Sequence, residues 1–302
     1  MFVRIASAAV GIPLAALIVF GWGGALLPSV VGILAIIGVH EFYRGVRRLG
    51  MQPAEWAGWV ACIVFIIVRA QYDAPHGVFP LYQIAHFATT ILAIVFLAAL
   101  ILDLRKPGRA PIRNIGATAL GAFYAGWLMS YLIPLRQFDI GPQFHPPLKG
   151  LAIGWLDTHS YGAWLILFLL LVTWACDTGA YFAGRAFGKR KLAPAISPGK
   201  TVEGAIGGVV GSIVVALLAG GLAGFPMWAR PGIGIVIAAA SMVGDLVESA
   251  MKREIGIKDF GAIMPGHGGV LDRLDSLLFS APVLYHIMWV CFLTGVFGYG
   301  PR

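Results

Sequence analysis

The part of the chain with the densest set of reactive side chains is SAMKREIGIKDFGAIMPGHGGVLDRLDS, residues 249–276, which lies between two hydrophobic runs. It contains His267, four of the fourteen carboxylates of the chain and several basic residues. Carboxylates beside cationic groups suit a hard divalent cation whose coordination is completed by phosphate oxygens. The acidic residues are Glu254, Asp259, Asp272 and Asp275, and the basic residues are Lys252, Arg253, Lys258 and Arg273.

Three more carboxylates lie near the ends of neighbouring apolar runs: Asp177 in TWACDTGAYFAGR, and Asp245 with Glu248 in SMVGDLVESAMKR. A spacing of three residues places Asp245 and Glu248 on one face of a helix, and Asp272 and Asp275 share that spacing. A carboxylate at the centre of a bilayer costs about 3 kcal/mol, so we expect a polar cavity that opens to one compartment. The sequence predicts metal ligands among Asp177, Asp245, Glu248, Asp272 and Asp275.

The segment AISPGKTVEG, residues 195–204, is a second polar stretch. Ser197, Lys200 and Thr201 offer hydroxyls and an ammonium group at the start of a helix, where phosphate oxygens bind well. The GKT tripeptide is not a P-loop, because that motif requires a preceding strand and a glycine where this chain has Pro194. An alternative interpretation is that Ser197 or Thr201 only caps the following helix.

The HGG tripeptide, His267 to Gly269, gives the first stretch a flexible turn. Gly268 and Gly269 would let backbone N–H groups approach an anion without obstruction by side chains. His267 would contact phosphate or transfer a proton, or alternatively form a hydrogen bond within the turn. Asp272 and Asp275 also fit a second interpretation, as acids that cap a helix and complement its dipole.

The elements that position these residues are membrane helices. Of the 302 residues, 59% are hydrophobic and 12% are charged, against roughly 25% charged in a soluble domain. A spanning backbone must form its own hydrogen bonds, so we predict an all-α polytopic integral membrane protein with about nine transmembrane helices. The first run is interpreted as a retained helix and not as a cleaved signal peptide. The spans lie near residues 4–21, 24–41, 55–70, 84–103, 114–134, 161–184, 204–224, 231–250 and 275–299.

The basic residues predict the orientation. Lys and Arg mark cytoplasmic loops, and most of the 22 in this chain fall on one side if the N-terminus is inside. The prediction therefore places the N-terminus and the polar residues of the second half in the cytoplasm, and the C-terminus outside. The net charge of +8 follows from this bias and from attraction to anionic lipids, so it requires no nucleic-acid partner. The three cysteines have no paired spacing, which indicates neither a disulfide framework nor a zinc site.

With these residues in place, the stretch 249–275 resembles the motif of the phosphatidate cytidylyltransferases, or CDP-diacylglycerol synthases. The segments SPGKTVEG and DTGAYFAGRAFGK, the latter starting at Asp177, also look like the family's. The chain departs from the pattern at Met264, where Leu, Ile or Phe is expected, and in SPGKTVEG at Gly199, where a second lysine is common. The resemblance covers roughly residues 174–275, so we interpret 1–302 as one membrane domain, with a less specific part at 1–160 and a catalytic part at 161–302. The matching residues are Ser249, Lys252-Arg253, Lys258-Asp259, Pro265, His267-Gly268-Gly269 and Asp272-Arg273-Leu274-Asp275.

The resemblance implies that CTP and phosphatidic acid react to CDP-diacylglycerol and pyrophosphate, with Mg²⁺ alone or with a second cation. It implies a cytoplasmic-facing site in a bacterial inner membrane, surrounded by membrane lipids, and is compatible with a homodimer. The residues expected to act in catalysis are Asp245, Lys252, Arg253, His267, Asp272, Arg273 and Asp275. Those expected to bind substrate are Ser197, Lys200, Thr201, Lys258, Gly268 and Gly269.

Two alternatives remain at this point. A CTP-dependent lipid kinase would transfer the γ-phosphate to the lipid and release CDP instead of pyrophosphate. A cation- or proton-coupled transporter would also contain intramembrane carboxylates, but its site should lie near the midplane between repeated halves. The acidic residues of this chain instead cluster at predicted helix ends in the second half.

Overall fold

The computed structural model describes residues 13–22, 25–71, 81–105, 110–140, 160–263 and 268–296, with the side chains of 81–85 left out. The first half contains helix α1 at 13–20 and the helices α2 to α7. The second half contains α8 to α11 and one hairpin of strands β1 and β2. The bounds in the first half are α2 Leu26–Val46, α3 Glu55–Gln71, α4 Leu81–Asp103, α5 Pro111–Gly121, a π-helical stretch Ala122–Trp127, α6 Leu128–Ser130 and α7 Leu132–Gln137. Those in the second half are α8 Tyr161–Phe187, β1 Lys191–Ala193, β2 Ser197–Thr201, α9 Val202–Ala219, α10 Arg230–Ile255 and α11 Leu271–Thr294.

Within the described ranges, seven helical segments are long and apolar enough to cross a membrane. They indicate an integral membrane protein, as the composition predicts. The predicted span at 55–70 is a helix of 17 residues, Glu55–Gln71, and most of the one at 4–21 lies outside the described residues. The count of nine spans and the orientation of the termini therefore stay predictions. The seven segments are Leu26–Leu49, His86–Asp103, Pro111–Gln137, Tyr161–Phe187, Val202–Ala219, Arg230–Ile255 and Leu271–Thr294.

The described residues form two compact units. The first unit takes its described residues from 27–134 and 254–274, and the second takes them from 13–26, 135–253 and 275–296. The prediction of one membrane domain stays a prediction.

The first unit is held by polar contacts buried among apolar side chains. The hydroxyl of Tyr43 donates to the carbonyl of Thr118 at 2.7 Å. The amide of Asn114 donates to Asp103 at 3.0 Å and accepts the N–H of Gln52 at 2.8 Å. Such pairing is required because an unsatisfied polar group in an apolar interior costs about 1–3 kcal/mol. These bonds connect α2, α4, α5 and the link before α3.

In the second unit, α8 and α9 pack closely through glycines. A Cβ at Gly208 would lie 2.9 Å from the carbonyl oxygen of Cys176, and one at Gly211 would lie 2.7 Å from that of Ala175. Only residues without a side chain allow the two backbones to approach this closely, as is common between membrane helices. These glycines therefore serve helix packing.

The hairpin between α8 and α9 was not predicted from the sequence. Its strands pair antiparallel, with Lys191 opposite Thr201 and Ala193 opposite Ser197. Glu203 accepts the backbone N–H of Lys189 at 3.0 Å and so fixes the start of the hairpin to the first turn of α9. The Thr201 hydroxyl accepts the N–H of Gly204 at 3.1 Å, which confirms Thr201 as the cap of this helix.

Candidate functional site

A cavity of about 560 Å³ lies in the second unit. Its walls come from the C-terminal part of α8, strands β1 and β2, the first turn of α9 and the middle of α10. Its volume falls within the range of about 300–1,000 Å³ that small-molecule sites occupy. The polar and aromatic side chains on its walls belong to Asp177, Tyr181, Arg185, Lys200, Thr201 and Asp245.

An ion pair joins the hairpin to α10 inside this cavity. The Lys200 ammonium nitrogen lies 2.6 Å from Oδ2 of Asp245, and the two side chains are 25% and 33% exposed. The Ser249 hydroxyl donates to Oδ1 of Asp245 at 3.3 Å. The ammonium nitrogen itself is buried, so loss of one partner alone would leave a buried charge, whereas a charged ligand that replaces that partner keeps the charge paired. The structure thus brings together Lys200 and Asp245, which the sequence predicts as phosphate and metal ligands.

Two further carboxylates belong to the same charge cluster. Asp177 lines the cavity, and its charge repels those of Asp245 and Asp275, while Lys200 attracts it. Asp275 repels Asp245 in turn and is attracted by Lys200 and Lys252. A hard cation binds several carboxylate oxygens and relieves their mutual repulsion, so the donor set fits Mg²⁺.

In the part of the chain that the structure describes, no three acidic, histidine or cysteine side chains form a ready-made metal cage. The metal ligands named from the sequence therefore stay predictions.

The last turns of α10 contain Glu248, Lys252 and Arg253. Glu248 is fully buried, and its Oε1 lies 2.8 Å from the ammonium nitrogen of Lys252. Glu248 does not line the cavity described above. Its carboxylate instead pairs with Lys252. The Arg253 guanidinium donates to the carbonyl of Ile196 at 3.2 Å, beside the half-buried Ser197.

In the first unit, Asp272 organises the turn before α11. It is 8% exposed, and its Oδ2 accepts the backbone N–H groups of Phe260 at 2.9 Å and Gly269 at 2.8 Å. Gly268 has a left-handed backbone with φ of +88°, a conformation that glycine adopts without strain. The N–H of Gly269 therefore donates within the turn, and its predicted contact with phosphate stays a prediction. His267 lies outside the described residues, while Lys258 and Arg273 are exposed.

Glu41 is a residue that the sequence analysis missed. It is 3% exposed, and its carboxylate accepts the N–H groups of Val270 and Leu271, both at 3.1 Å. A Cβ at Gly269 would lie 2.5 Å from both carboxylate oxygens. The carboxylate thus satisfies two donors at the first turn of α11 and complements the positive end of its dipole. The position of Glu41 within an apolar run could have indicated its role, because a carboxylate in such a run needs a hydrogen-bonding or charged partner.

Helices long and apolar enough to cross a membrane, with a cavity that combines carboxylates and a lysine, define a membrane-embedded protein with a charged cavity. A model of the cytidylyltransferase family matches residues 2–291, and the chain belongs to this family. It is therefore an enzyme, a nucleotidyltransferase.

Individual relatives agree with this assignment. A protein of Synechocystis sp. named phosphatidate cytidylyltransferase is 36% identical over 94% of this chain and 95% of its own length. A protein of the same name from Bacillus subtilis is 40% identical over 58% of each chain. One from Staphylococcus saprophyticus is 49% identical over 42% of this chain and 50% of its own length.

Proposed function

We propose that the protein transfers a cytidylyl group from CTP to phosphatidic acid, giving CDP-diacylglycerol and pyrophosphate for phospholipid synthesis. The observation that best supports this proposal is the cavity lined by Lys200, Asp245 and Asp177. It lies in a chain that belongs to the cytidylyltransferase family. The names of the relatives support the choice of lipid substrate. The reaction would take place at the cytoplasmic face of a bacterial inner membrane.

In this reaction an oxygen of the lipid phosphate attacks the α-phosphorus of CTP. The bond between the α- and β-phosphates breaks, and the electron pair leaves with pyrophosphate. The nucleophile is already an anion, so the enzyme needs no activated serine or cysteine. The obstacle is the approach of two anions, and fixed positive groups overcome it by positioning both phosphates and stabilising the leaving group.

Lys200 is the residue best placed to contact phosphate, because it lies on the cavity wall on a strand fixed to α9. Lys252 would hold a second phosphate group from a position set by the buried Glu248. For Arg253, Lys258, Arg273 and His267 we keep the sequence-based proposal that they bind phosphate groups of the two substrates, with His267 binding phosphate or transferring a proton.

Asp177, Asp245 and Asp275 are the residues we propose to hold Mg²⁺, since their charges already repel one another around Lys200. Bound Mg²⁺ would neutralise charge on the phosphates and on the departing pyrophosphate. Asp272 remains a proposed ligand, although its observed role is to hold the turn before α11. Glu248 would act through Lys252.

The decisive experiment follows α- and γ-labelled CTP with phosphatidic acid and Mg²⁺, using purified protein in detergent. We expect the α label in the lipid and the γ label in pyrophosphate, and about 10²–10³-fold less of both products with Asp245→Asn. Transfer of the γ label to the lipid would instead identify a lipid kinase. Folded protein that labels no lipid would refute the proposal and return the transporter to consideration.

A further inference from the structure

One wall of the cavity contains an aromatic ring and a guanidinium group to which the proposed chemistry assigns no role. Tyr181 and Arg185 both line the cavity, and Nη1 of Arg185 donates to the Tyr181 hydroxyl at 3.1 Å. The Tyr181 side chain is 58% exposed, so much of its ring is accessible beside the ring of Phe182, whose centroid lies 5.4 Å away at an interplanar angle of 74°. The hydrogen bond restricts the orientation of the guanidinium group.

These two residues follow Asp177 along one face of α8. Asp177, Tyr181 and Arg185 succeed one another at intervals of four residues, which places them in a row. With a rise of about 1.5 Å per residue, Tyr181 lies about 6 Å and Arg185 about 12 Å along the axis from the carboxylate. The base of a nucleotide bound with its phosphates near Asp177 and Lys200 would reach this distance.

The chemistry of the two side chains matches a cytosine ring. Stacking of a base on an aromatic side chain is worth about 1–3 kcal/mol and tolerates any base, because every base has a π-face. Selection requires hydrogen bonds. Cytosine presents two adjacent acceptors, O2 and N3, whereas uracil has a donor at N3. A guanidinium group presents parallel N–H donors in a rigid fork, which matches paired acceptors and not an acceptor beside a donor.

We infer that Tyr181 and Arg185 form the base-recognition subsite of the cavity. The Tyr181 ring stacks on the cytosine, and the Arg185 guanidinium donates to O2 and N3 and so selects CTP over UTP. Leu192, Met242 and Leu246, which also line the cavity, would shield these contacts from water. This inference rests on the proposed function, because it deepens the assignment of CTP to this cavity.

The test measures binding of CTP and UTP to purified protein without phosphatidic acid, and steady-state kinetics with both nucleotides. Tyr181→Leu removes the stacking surface, so we expect binding of both nucleotides to weaken about tenfold with little change in their ratio. Arg185→Lys keeps the charge but loses the fork. The preference for CTP over UTP should therefore fall at least tenfold, since the site no longer pairs both acceptors.

Phe187→Leu is the matched control. Phe187 also lies on α8 and is 70% exposed, but it does not line the cavity. Its replacement should leave both nucleotide affinities unchanged. If Tyr181→Leu fails to fold, Tyr181→Phe provides the test: it keeps the ring and removes only the acceptor for Arg185, so affinity should persist while the preference for CTP declines.

The outcomes separate the two proposals. An active wild-type protein whose Arg185→Lys variant keeps the full preference for CTP would overturn the base subsite and leave the proposed function intact. Equal losses in the Tyr181→Leu and Phe187→Leu variants would also overturn it, because they would show a general effect of exposed aromatic residues. Wild-type protein that forms no cytidylyl lipid would refute the proposed function itself.

Discussion

The carboxylates of the two units have the same chemistry and different surroundings. In the second unit, Asp245 is one-third exposed and pairs directly with Lys200 on the wall of the cavity. In the first unit, Glu41 and Asp272 are buried and accept backbone N–H groups. A carboxylate bound to the backbone fixes a fold, whereas one paired with a lysine in a cavity is able to exchange that partner for a charged ligand. We therefore predict that the backbone-bound carboxylates Glu41 and Asp272 govern stability, whereas Asp245 governs turnover.

The largest effect is expected at Asp245. Asp245→Asn removes the charge that pairs with Lys200 while preserving shape, so cytidylyl transfer should fall about 10²–10³-fold. The melting temperature should also fall, because the buried ammonium nitrogen of Lys200 loses its charged partner, so turnover is measured on the folded protein. Labelled-CTP turnover and thermal unfolding in detergent measure the two quantities, with Asp139→Asn as an exposed control. A large loss of stability with normal turnover in the remaining folded protein would contradict the prediction that Asp245 governs turnover.

Lys252→Met tests a pair that combines both roles. Glu248 is fully buried beside Lys252, so removal of the lysine leaves a buried charge and should lower the free energy of unfolding by about 3 kcal/mol. The double variant Glu248→Met with Lys252→Met replaces the pair by apolar groups and should recover most of this stability. If Lys252 binds phosphate, turnover stays low in the double variant. Full recovery of turnover would remove Lys252 from the proposed site.

Glu41→Gln isolates the structural role in the first unit. The carboxamide retains one acceptor and turns its NH₂ group towards a backbone donor, so the free energy of unfolding should fall by about 2 kcal/mol. Glu254→Gln is the comparison, because Glu254 also belongs to the first unit and its side chain is exposed. That change should cost less than about 1 kcal/mol. Chemical denaturation of both variants measures the difference, and equal costs would contradict the role assigned to Glu41.

The smallest effect is expected at Thr201, where a hydroxyl caps α9. Thr201→Val keeps the shape and removes the acceptor for the Gly204 N–H, so stability should fall by about 1 kcal/mol. Thr201→Ser should preserve the cap and most of the stability. The hydroxyl also binds substrate if Thr201→Ser retains stability and turnover while Thr201→Val raises the KM for CTP about tenfold. An unchanged KM would confine Thr201 to capping.

The sequence predicted the helices well because their signal is local. Each apolar run of bilayer length must form a helix in lipid, and glycines spaced along α9 indicate close packing. The hairpin escaped prediction, since Lys191–Ala193 and Ser197–Thr201 are too short and polar to show a periodic pattern.

The contacts of the site were harder to foresee. Glu41 meets Leu271 across 230 positions of the chain, and no local pattern in a single sequence records such a contact. Composition and spacing did select Lys200 and Asp245 as functional residues, but their direct pairing depends on how the hairpin reaches α10. Tyr181 and Arg185 were overlooked because an aromatic residue and an arginine near the end of an apolar run are also typical of a membrane interface.

The ion pair between Lys200 and Asp245 has a thermodynamic consequence. Each partner satisfies the other as long as the cavity holds no charged ligand. An anion that takes the ammonium of Lys200 also releases the carboxylate of Asp245 to accept a cation. Binding of the two ligands is therefore linked, and by reciprocity each should increase the affinity for the other by the same factor. The paired charges would thus disfavour half-filled states and favour the simultaneous presence of nucleotide and cation.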